Sequence, residues 1–220
     1  MKLKLFLVIV VLAIASISCN LFQVFEVEQT DVPELVPTLT EQPPPTPMMT
    51  EEPPAALTLE ETAEIVINAL AAMDMETVAE FVHLDMGVRF SPYTYVEEHH
   101  QEFMPGDLPT LVDSDEIFLW GEYDGTGDPI DLTFEDYYQD FVYSADFANP
   151  EEMAVNEELG WSSMINNIEE FYPGSSFVEY HFSGFDEQYG GMDWRSLRLV
   201  FVEEDGVWFL VGIVNDQWTI

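Results

Sequence analysis

The chain has 220 residues and a formal net charge of −38, because 43 residues are Asp or Glu and only five are Lys or Arg. This charge repels nucleic acids and anionic lipid surfaces, so we expect neither as a partner, whereas a small ligand or a basic protein stays open. The residues are 47% hydrophobic and 14% aromatic, enough to bury a core without disulfides, which a single cysteine cannot form within the chain.

The first predicted element is a signal peptide over residues 1–18. Lys2 and Lys4 precede an apolar run over residues 5–14, and small residues then lead to Cys19. This layout resembles the bacterial lipoprotein signal, although Ser16 stands where that pattern prefers Leu. The resemblance implies that Cys19 carries lipid and that the acyl chains alone hold the protein at the extracellular face of the bacterial cell membrane. The alternative is an ordinary signal peptide followed by a coincidental cysteine.

Residues 19–57 are predicted to be a disordered linker that starts at the lipidated cysteine. Eight of the 14 prolines fall in this stretch, and proline at this density favours the extended polyproline II conformation. Such a stalk reaches on the order of 100 Å at ~3.1 Å per residue. The remainder, residues 58–220, has the length of a single folded domain.

Helices are predicted at the start and in the middle of this domain. Thr58 and Glu61 have the spacing of a capping box, and the residues after them are apolar on one helical face. A second, short helix is predicted over residues 75–82. Thr133 is the expected cap of a third helix that ends at Val142.

The rest of the domain reads mainly as strands. Asp205-Gly206 lies between two apolar runs, which is a strong signal for a hairpin with a two-residue turn. Strands are predicted over residues 88–93, 117–120, 177–182, 197–203 and 207–214, with a loop over residues 123–129.

The hairpin turn predicts a strand register. Counted back from the turn, the pairs are Glu204 with Val207, Phe201 with Leu210, Arg198 with Ile213, and Arg195 with Asp216. The last pair places opposite charges together, which favours this register. Both faces of the hairpin are apolar, so helices, a curled sheet or a second subunit must cover both, and a homodimer through the sheet is one of these alternatives.

The order of elements resembles the nuclear-transport-factor-2-like (polyketide cyclase-like) superfamily. The stretch over residues 74–83, with Val82-His83 leading to Gly87, looks like that superfamily's passage from a helix to the first strand. The resemblance implies an α+β fold with N-terminal helices packed on a curved antiparallel sheet, cone-shaped and cystatin-like. Residues 87–93, 191–198 and 216–220 are also similar to a group of uncharacterised bacterial lipoproteins. Fold alone implies no activity, because this superfamily includes enzymes, binding pockets and interaction modules.

The candidate binding residues begin with the three arginines that remain after Cys19. Arg89, Arg195 and Arg198 either satisfy buried carboxylates, which we favour, or form a clamp for an anion. Tyr93 and Trp218 lie in two of the three lipoprotein-like stretches and complete this set.

Candidate catalytic and metal-binding groups are fewer. His181 lies on a predicted central strand and is the best candidate for a general base, with Glu179 or Asp216 as its acid partner. His99 and His100 are adjacent, so in a strand they point to opposite faces and are poorly placed to chelate a metal. Asp124 and Asp128 flank glycines in a loop that lacks EF-hand spacing, so they are weak calcium candidates. We expect no cofactor.

These observations favour a non-catalytic, surface-displayed module that binds a ligand or a partner. A small pocket enzyme, a lyase or hydrolase using His181 with an acid, is the first alternative. A cation-responsive acidic surface protein is the second. The first two differ in one testable way, since an enzyme needs His181, Arg195 and Arg198 to converge on an open cavity.

Overall fold

The computed structural model of the protein describes residues 56–219. The predicted signal peptide, the lipidation site Cys19 and nearly all of the predicted linker lie outside these residues. Between residues 56 and 219, no helix is long and apolar enough to cross a membrane. The described residues form an α+β structure with a mostly antiparallel sheet, which confirms the coarse fold predicted from the sequence.

Most of the helices are short, and their caps follow the sequence. Thr58 accepts a hydrogen bond from the Glu61 amide, and the Glu61 carboxylate accepts one from the Thr58 amide, so the predicted capping box is confirmed. Thr133 also caps its helix, by accepting from the Asp136 amide. The helices are α1 Leu59–Ala71, α2 Met75–Phe81, α3 Leu108–Leu111, α4 Phe134–Tyr137, which continues as a π-helical turn over Tyr138–Val142, and α5 Ile168–Phe171.

The strands include three short ones that the sequence did not predict. They are β1 Val88–Ser91, β2 Glu102–Phe103, β3 Phe118–Glu122, β4 Pro129–Leu132, β5 Glu152–Val155, β6 Ser176–Phe182, β7 Arg195–Glu204 and β8 Val207–Gln217. Six of them form a sheet in the order β2-β1-β8-β7-β6-β5, and β3 pairs with β4 in a separate two-stranded sheet. Neighbouring strands are antiparallel except β1 and β8, which are parallel.

The register of the β7–β8 hairpin is confirmed near its turn and wrong beyond it. Glu204 pairs with Val207 and Phe201 with Leu210, as predicted, but a bulge then shifts the register by one residue between Phe201 and Val200. Arg198 therefore lies opposite Val214 instead of Ile213, and Arg195 opposite Gln217 instead of Asp216. A bulge leaves one extra residue in one strand, and this moves the later side chains of β8 relative to β7.

Both faces of the sheet are covered, as the apolar hairpin predicts. One face packs against the main core, which includes Val66 and Leu70 of α1. The other face carries a smaller cluster that is covered by Val96, from the loop after β1, and by Ile168 of α5 and Tyr172. This second face also carries Arg198, Glu179 and Asp216, around which the candidate site is built.

Candidate binding site

A buried ion-pair network lies on the second face of the sheet. Arg198 of β7 lies directly opposite Glu179 of β6, and its Nε donates to Glu179 Oε2 at 2.7 Å. Its Nη2 donates to Asp216 Oδ2 at 2.9 Å. These three side chains are at most 3% exposed, so their charges satisfy one another away from water.

The same network fastens two peripheral segments to the sheet. Arg198 Nη1 donates to the hydroxyl of Thr94, which belongs to the loop over residues 92–100 between β1 and β2. The second oxygen of Glu179 accepts a hydrogen bond from the amide of Gly160 at 2.7 Å. Gly160 begins a segment over residues 160–163, here called the strap, which crosses this face of the sheet. Arg198 and Glu179 therefore hold both the loop and the strap in place.

The network leaves no free chemistry at Arg198. Burial by itself would lower the pKa of Arg198, but the carboxylates of Glu179 and Asp216 outweigh this effect and raise it. Burial also raises the pKa of Asp216, and the guanidinium counteracts only part of that rise. Arg198 is a permanently charged, fully paired group, so it supports neither an anion clamp nor proton transfer.

The other two arginines have different surroundings. Arg89 of β1 donates to the carbonyls of Glu98, at 2.8 Å, and His100, and it pairs with the Glu102 carboxylate. It thereby fixes the far end of the loop over residues 92–100, whose near end is held by Arg198. Arg195 Nη1 donates a long hydrogen bond of 3.4 Å to Gln217 Oε1. Among the described residues, it forms no ion pair with Glu179 or Asp216, the partners of Arg198.

The loop, the strap and the β3–β4 turn enclose an open cleft of ≈ 680 Å³, here called the His100 cleft. Its walls combine three carboxylates with three tyrosines. These groups are Glu97, Glu122, Asp124, Tyr93, Tyr95 and Tyr123, and Ser163 of the strap, Met164 and Ile165 close the remaining side. Two of the three walls are thus held in place, the loop by Arg89 and Arg198 and the strap by Glu179.

His100 gives the cleft a fixed hydrogen-bond donor. The residue is 6% exposed, and its Nδ1 accepts a hydrogen bond from the Glu97 amide at 3.2 Å. The Ser91 hydroxyl also lies 3.1 Å from Nδ1. Because the Glu97 amide can only donate, we assign the proton of the neutral ring to Nε2. Nε2 has no hydrogen-bond partner among the described residues, and the ring lines the cleft.

The charge state of His100 is set by its surroundings. Burial first, and then His99 and Arg89, lower the pKa of His100 to about 4. The ring is therefore neutral near pH 7 and presents an uncharged N–H donor to the cleft.

This pKa predicts a pH dependence of stability. The unfolded histidine titrates near 6.5, so the unfolded state takes up a proton before the folded state as the pH falls. The free energy of unfolding should therefore drop by about 2 kcal/mol between pH 7 and pH 5 because of His100 alone. We expect His100→Gln to remove a drop of this size, measured by urea unfolding at both pH values. The exposed His99→Gln should keep it, and equal drops in the wild type and His100→Gln would contradict the assignment.

Glu97, His99 and His100 also bring one ligand atom each within 4.8 Å of one another. However, the lone pair of His100 Nδ1 is used by the Glu97 amide, and Nε2 carries the proton. The cluster therefore offers a metal two free ligands, and we assign no metal to it. Of the two calcium candidates, Asp124 lines the cleft and Asp128 does not. The backbone carbonyl of Asp128 instead accepts a hydrogen bond from the Tyr123 amide and closes the β3–β4 turn.

The remaining candidates lie elsewhere. Tyr93 lines the cleft, and its hydroxyl accepts a hydrogen bond from the Asp124 amide at 3.3 Å. His181 is buried, with Nδ1 2.8 Å from the Ser196 hydroxyl, and burial lowers its pKa. It lines a separate groove with Trp218, which is 41% exposed. The predicted acid partners of His181, Glu179 and Asp216, both accept from Arg198, so neither is free to pair with His181.

His100 is the residue that sequence reasoning missed. In a strand, the adjacent His99 and His100 would face opposite sides of the sheet. The structure corrects this prediction, because the two residues lie in a turn with their ring centroids 5.0 Å apart, and His100 is buried beside an exposed His99. Which of the two is buried depends on how Arg89 holds the loop, and that contact has no local sequence signal.

Comparison with known proteins gives no match, either to a protein-family model or to a curated protein. The resemblance to the nuclear-transport-factor-2-like superfamily therefore stays a prediction from the sequence.

Proposed function

We propose that this protein is a lipid-anchored surface protein whose folded domain is a non-catalytic binding module, with the His100 cleft as its site. The ligand is a basic peptide segment, or another amine that also carries a hydrogen-bond acceptor. The anchor is Cys19, exposed by removal of residues 1–18, and the proline-rich linker separates the domain from the membrane. In this proposal the α+β domain adopts the cone-shaped, nuclear-transport-factor-2-like form, from which no activity follows.

One observation carries the proposal: the buried charged groups are paired with one another, whereas the groups that line the open cleft are free to bind a ligand. Arg198, Glu179 and Asp216 satisfy one another in a buried network. The cleft instead presents carboxylates and the N–H of a neutral His100. The enzyme alternative needs Glu179 or Asp216 as a free acid partner of His181, and both carboxylates accept from Arg198 instead.

The ligand class follows from the groups in the cleft. Glu97, Glu122 and Asp124 favour a cationic group, and the net charge of −38 attracts cations from a distance. Tyrosine rings beside the carboxylates add a favourable surface for an ammonium or guanidinium. The His100 N–H needs an acceptor, which a peptide carbonyl supplies. A basic peptide contains both groups, whereas a bare metal ion has no acceptor to offer.

The site is also held rigid before the ligand arrives. Arg89 and Arg198 fix the two ends of the loop over residues 92–100, and Glu179 fixes the strap. Rigid walls reduce the ordering cost of binding, so modest contacts suffice for specific recognition.

We expect a blocked Gly-Lys-Gly-Lys-Gly peptide to bind the purified full chain, held in a polyoxyethylene detergent, with saturable heat in calorimetry. A peptide with norleucine in place of lysine should not bind. Changing Glu97→Gln and Glu122→Gln together should weaken binding about tenfold, because two partly exposed ion pairs contribute about 1 kcal/mol or slightly less each.

A charge-matched control separates the cleft from general attraction by an acidic surface. Glu64→Gln with Glu76→Gln removes the same charge from α1 and α2, outside the cleft, and should change the affinity less than about twofold. Equal losses in the two double variants, or equal binding of the norleucine peptide, would refute the proposal.

A further inference from the structure

A second concave surface lies on the other side of the strap from the His100 cleft. It is a groove of ≈ 480 Å³ to which three of the five tryptophans in the chain contribute. We call it the tryptophan groove and define it by Trp161, Trp194, Trp218 and His181. Ser163 of the strap lines both this groove and the cleft.

The aromatic surface of the groove is unusually open to water. Trp161 is 88% exposed and Trp218 is 41% exposed, although tryptophan side chains in folded proteins are normally mostly buried. Clustered exposed aromatic rings mark binding sites more often than chance positions on a surface. Gly190 and Gly191 line the groove in left-handed conformations, which disfavour larger residues there and keep the wall low.

The polar groups of the groove are all uncharged near pH 7. None of the described residues that line it is Asp, Glu, Lys or Arg, in a chain with 43 acidic residues. Instead it offers hydroxyl groups, including those of Ser162 and Ser183, and the ring of His181. His181 is 8% exposed, and Nε2 has no partner among the described residues because only Nδ1 is engaged, by Ser196.

We propose that the tryptophan groove binds a neutral oligosaccharide. The C–H faces of pyranose rings pack flat on exposed indole rings, and sugar hydroxyls both donate and accept hydrogen bonds. A sugar hydroxyl can therefore satisfy His181 Nε2 in either tautomer of the neutral ring, and it can donate to the Ser183 oxygen, whose own proton is used by Glu151.

Other ligand classes fit the groove less well. A cation would find no carboxylate in its lining, and an anion would find no basic side chain. Arg195 lies in a neighbouring hollow beyond Trp194 and Trp218 and does not line the groove. A purely apolar ligand would leave the buried His181 nitrogen without a partner, at a cost in affinity. This site does not depend on the peptide-binding cleft, whose ligand carries charge.

The test is calorimetry of the full chain in polyoxyethylene detergent, which contains no sugar, with cellohexaose, mannohexaose and N-acetylchitohexaose. We expect saturable binding of at least one of the three. Trp161→Ala should weaken that binding at least tenfold while leaving the unfolding midpoint unchanged, because the ring is mostly in water.

Leu84→Ala is the matched control, since Leu84 is 74% exposed and lies outside the groove, and it should change the affinity less than twofold. His181→Phe keeps the ring volume but removes the nitrogen, and should weaken binding without abolishing it. Three results would each overturn the proposal. They are no binding of any of the three sugars at about 5 mM, where even a millimolar dissociation constant would be detected, unchanged affinity in Trp161→Ala, and tighter binding of an oligogalacturonate than of the neutral sugars.

Discussion

Arg198→Met should lower the free energy of unfolding by about 3–5 kcal/mol, measured by urea denaturation at pH 7. The guanidinium is the only group in the described network that balances the carboxylates of Glu179 and Asp216, and all three lie in the interior. Its removal leaves two acidic groups buried without a counter-charge. This cost exceeds the value of the pairs themselves, because buried charges that lose a partner keep their full desolvation penalty.

Two further variants show whether the effect comes from the network. Arg195→Met removes an arginine that donates a long hydrogen bond to Gln217. This variant should lower the free energy of unfolding by less than about 0.5 kcal/mol. Adding Glu179→Gln and Asp216→Asn to Arg198→Met removes the stranded charge while the Gln oxygen still accepts from the Gly160 amide. This triple variant should recover at least about 2 kcal/mol. If Arg195→Met costs as much as Arg198→Met, or if the triple variant recovers nothing, the network is not what stabilises this face.

The elements with local chemical signals were predictable from the sequence. Two helix starts are predictable from Thr58 with Glu61 and from Thr133, because these side chains bond to free backbone amides of the first helical turn. Asp205-Gly206 announces the hairpin because Asp205 and Gly206 both adopt positive φ, at 52° and 83°. β2 and β5, with two and four residues, have no such signal and form because a neighbouring strand offers free backbone groups.

The candidate site was harder to predict, mainly because the register of the β7–β8 hairpin shifts by one residue. The bulge in β8 moves Asp216 from the predicted position opposite Arg195 to the face of Arg198. A shift of one residue exchanges the two faces of a strand, so it also exchanges the predicted partners. The sequence predicted an arginine beside Asp216, but the register named Arg195 where the structure has Arg198.

Gly160→Ala should destabilise the protein by about 1–3 kcal/mol, because the strap packs too closely for a side chain. A methyl group at this position would lie 2.5 Å from the Trp194 ring and 2.6 Å from the Ser196 hydroxyl. Both neighbours are themselves buried, so the strap must lift. Lifting it breaks the hydrogen bond from the Gly160 amide to Glu179, and exchange of that segment's amide hydrogens should become faster, as mass spectrometry would detect.

The matched control is Gly106→Ala, because a methyl group there meets nothing within 4 Å and the backbone is not left-handed. It should change the free energy of unfolding by less than about 0.5 kcal/mol. The strap separates the two proposed sites, so Gly160→Ala should weaken the lysine peptide and the oligosaccharide together. Glu97→Gln with Glu122→Gln should weaken only the peptide, and Trp161→Ala only the sugar. If Gly160→Ala leaves strap exchange and both affinities unchanged, the strap does not position either site, and the walls of the cleft and the groove must be held by other contacts.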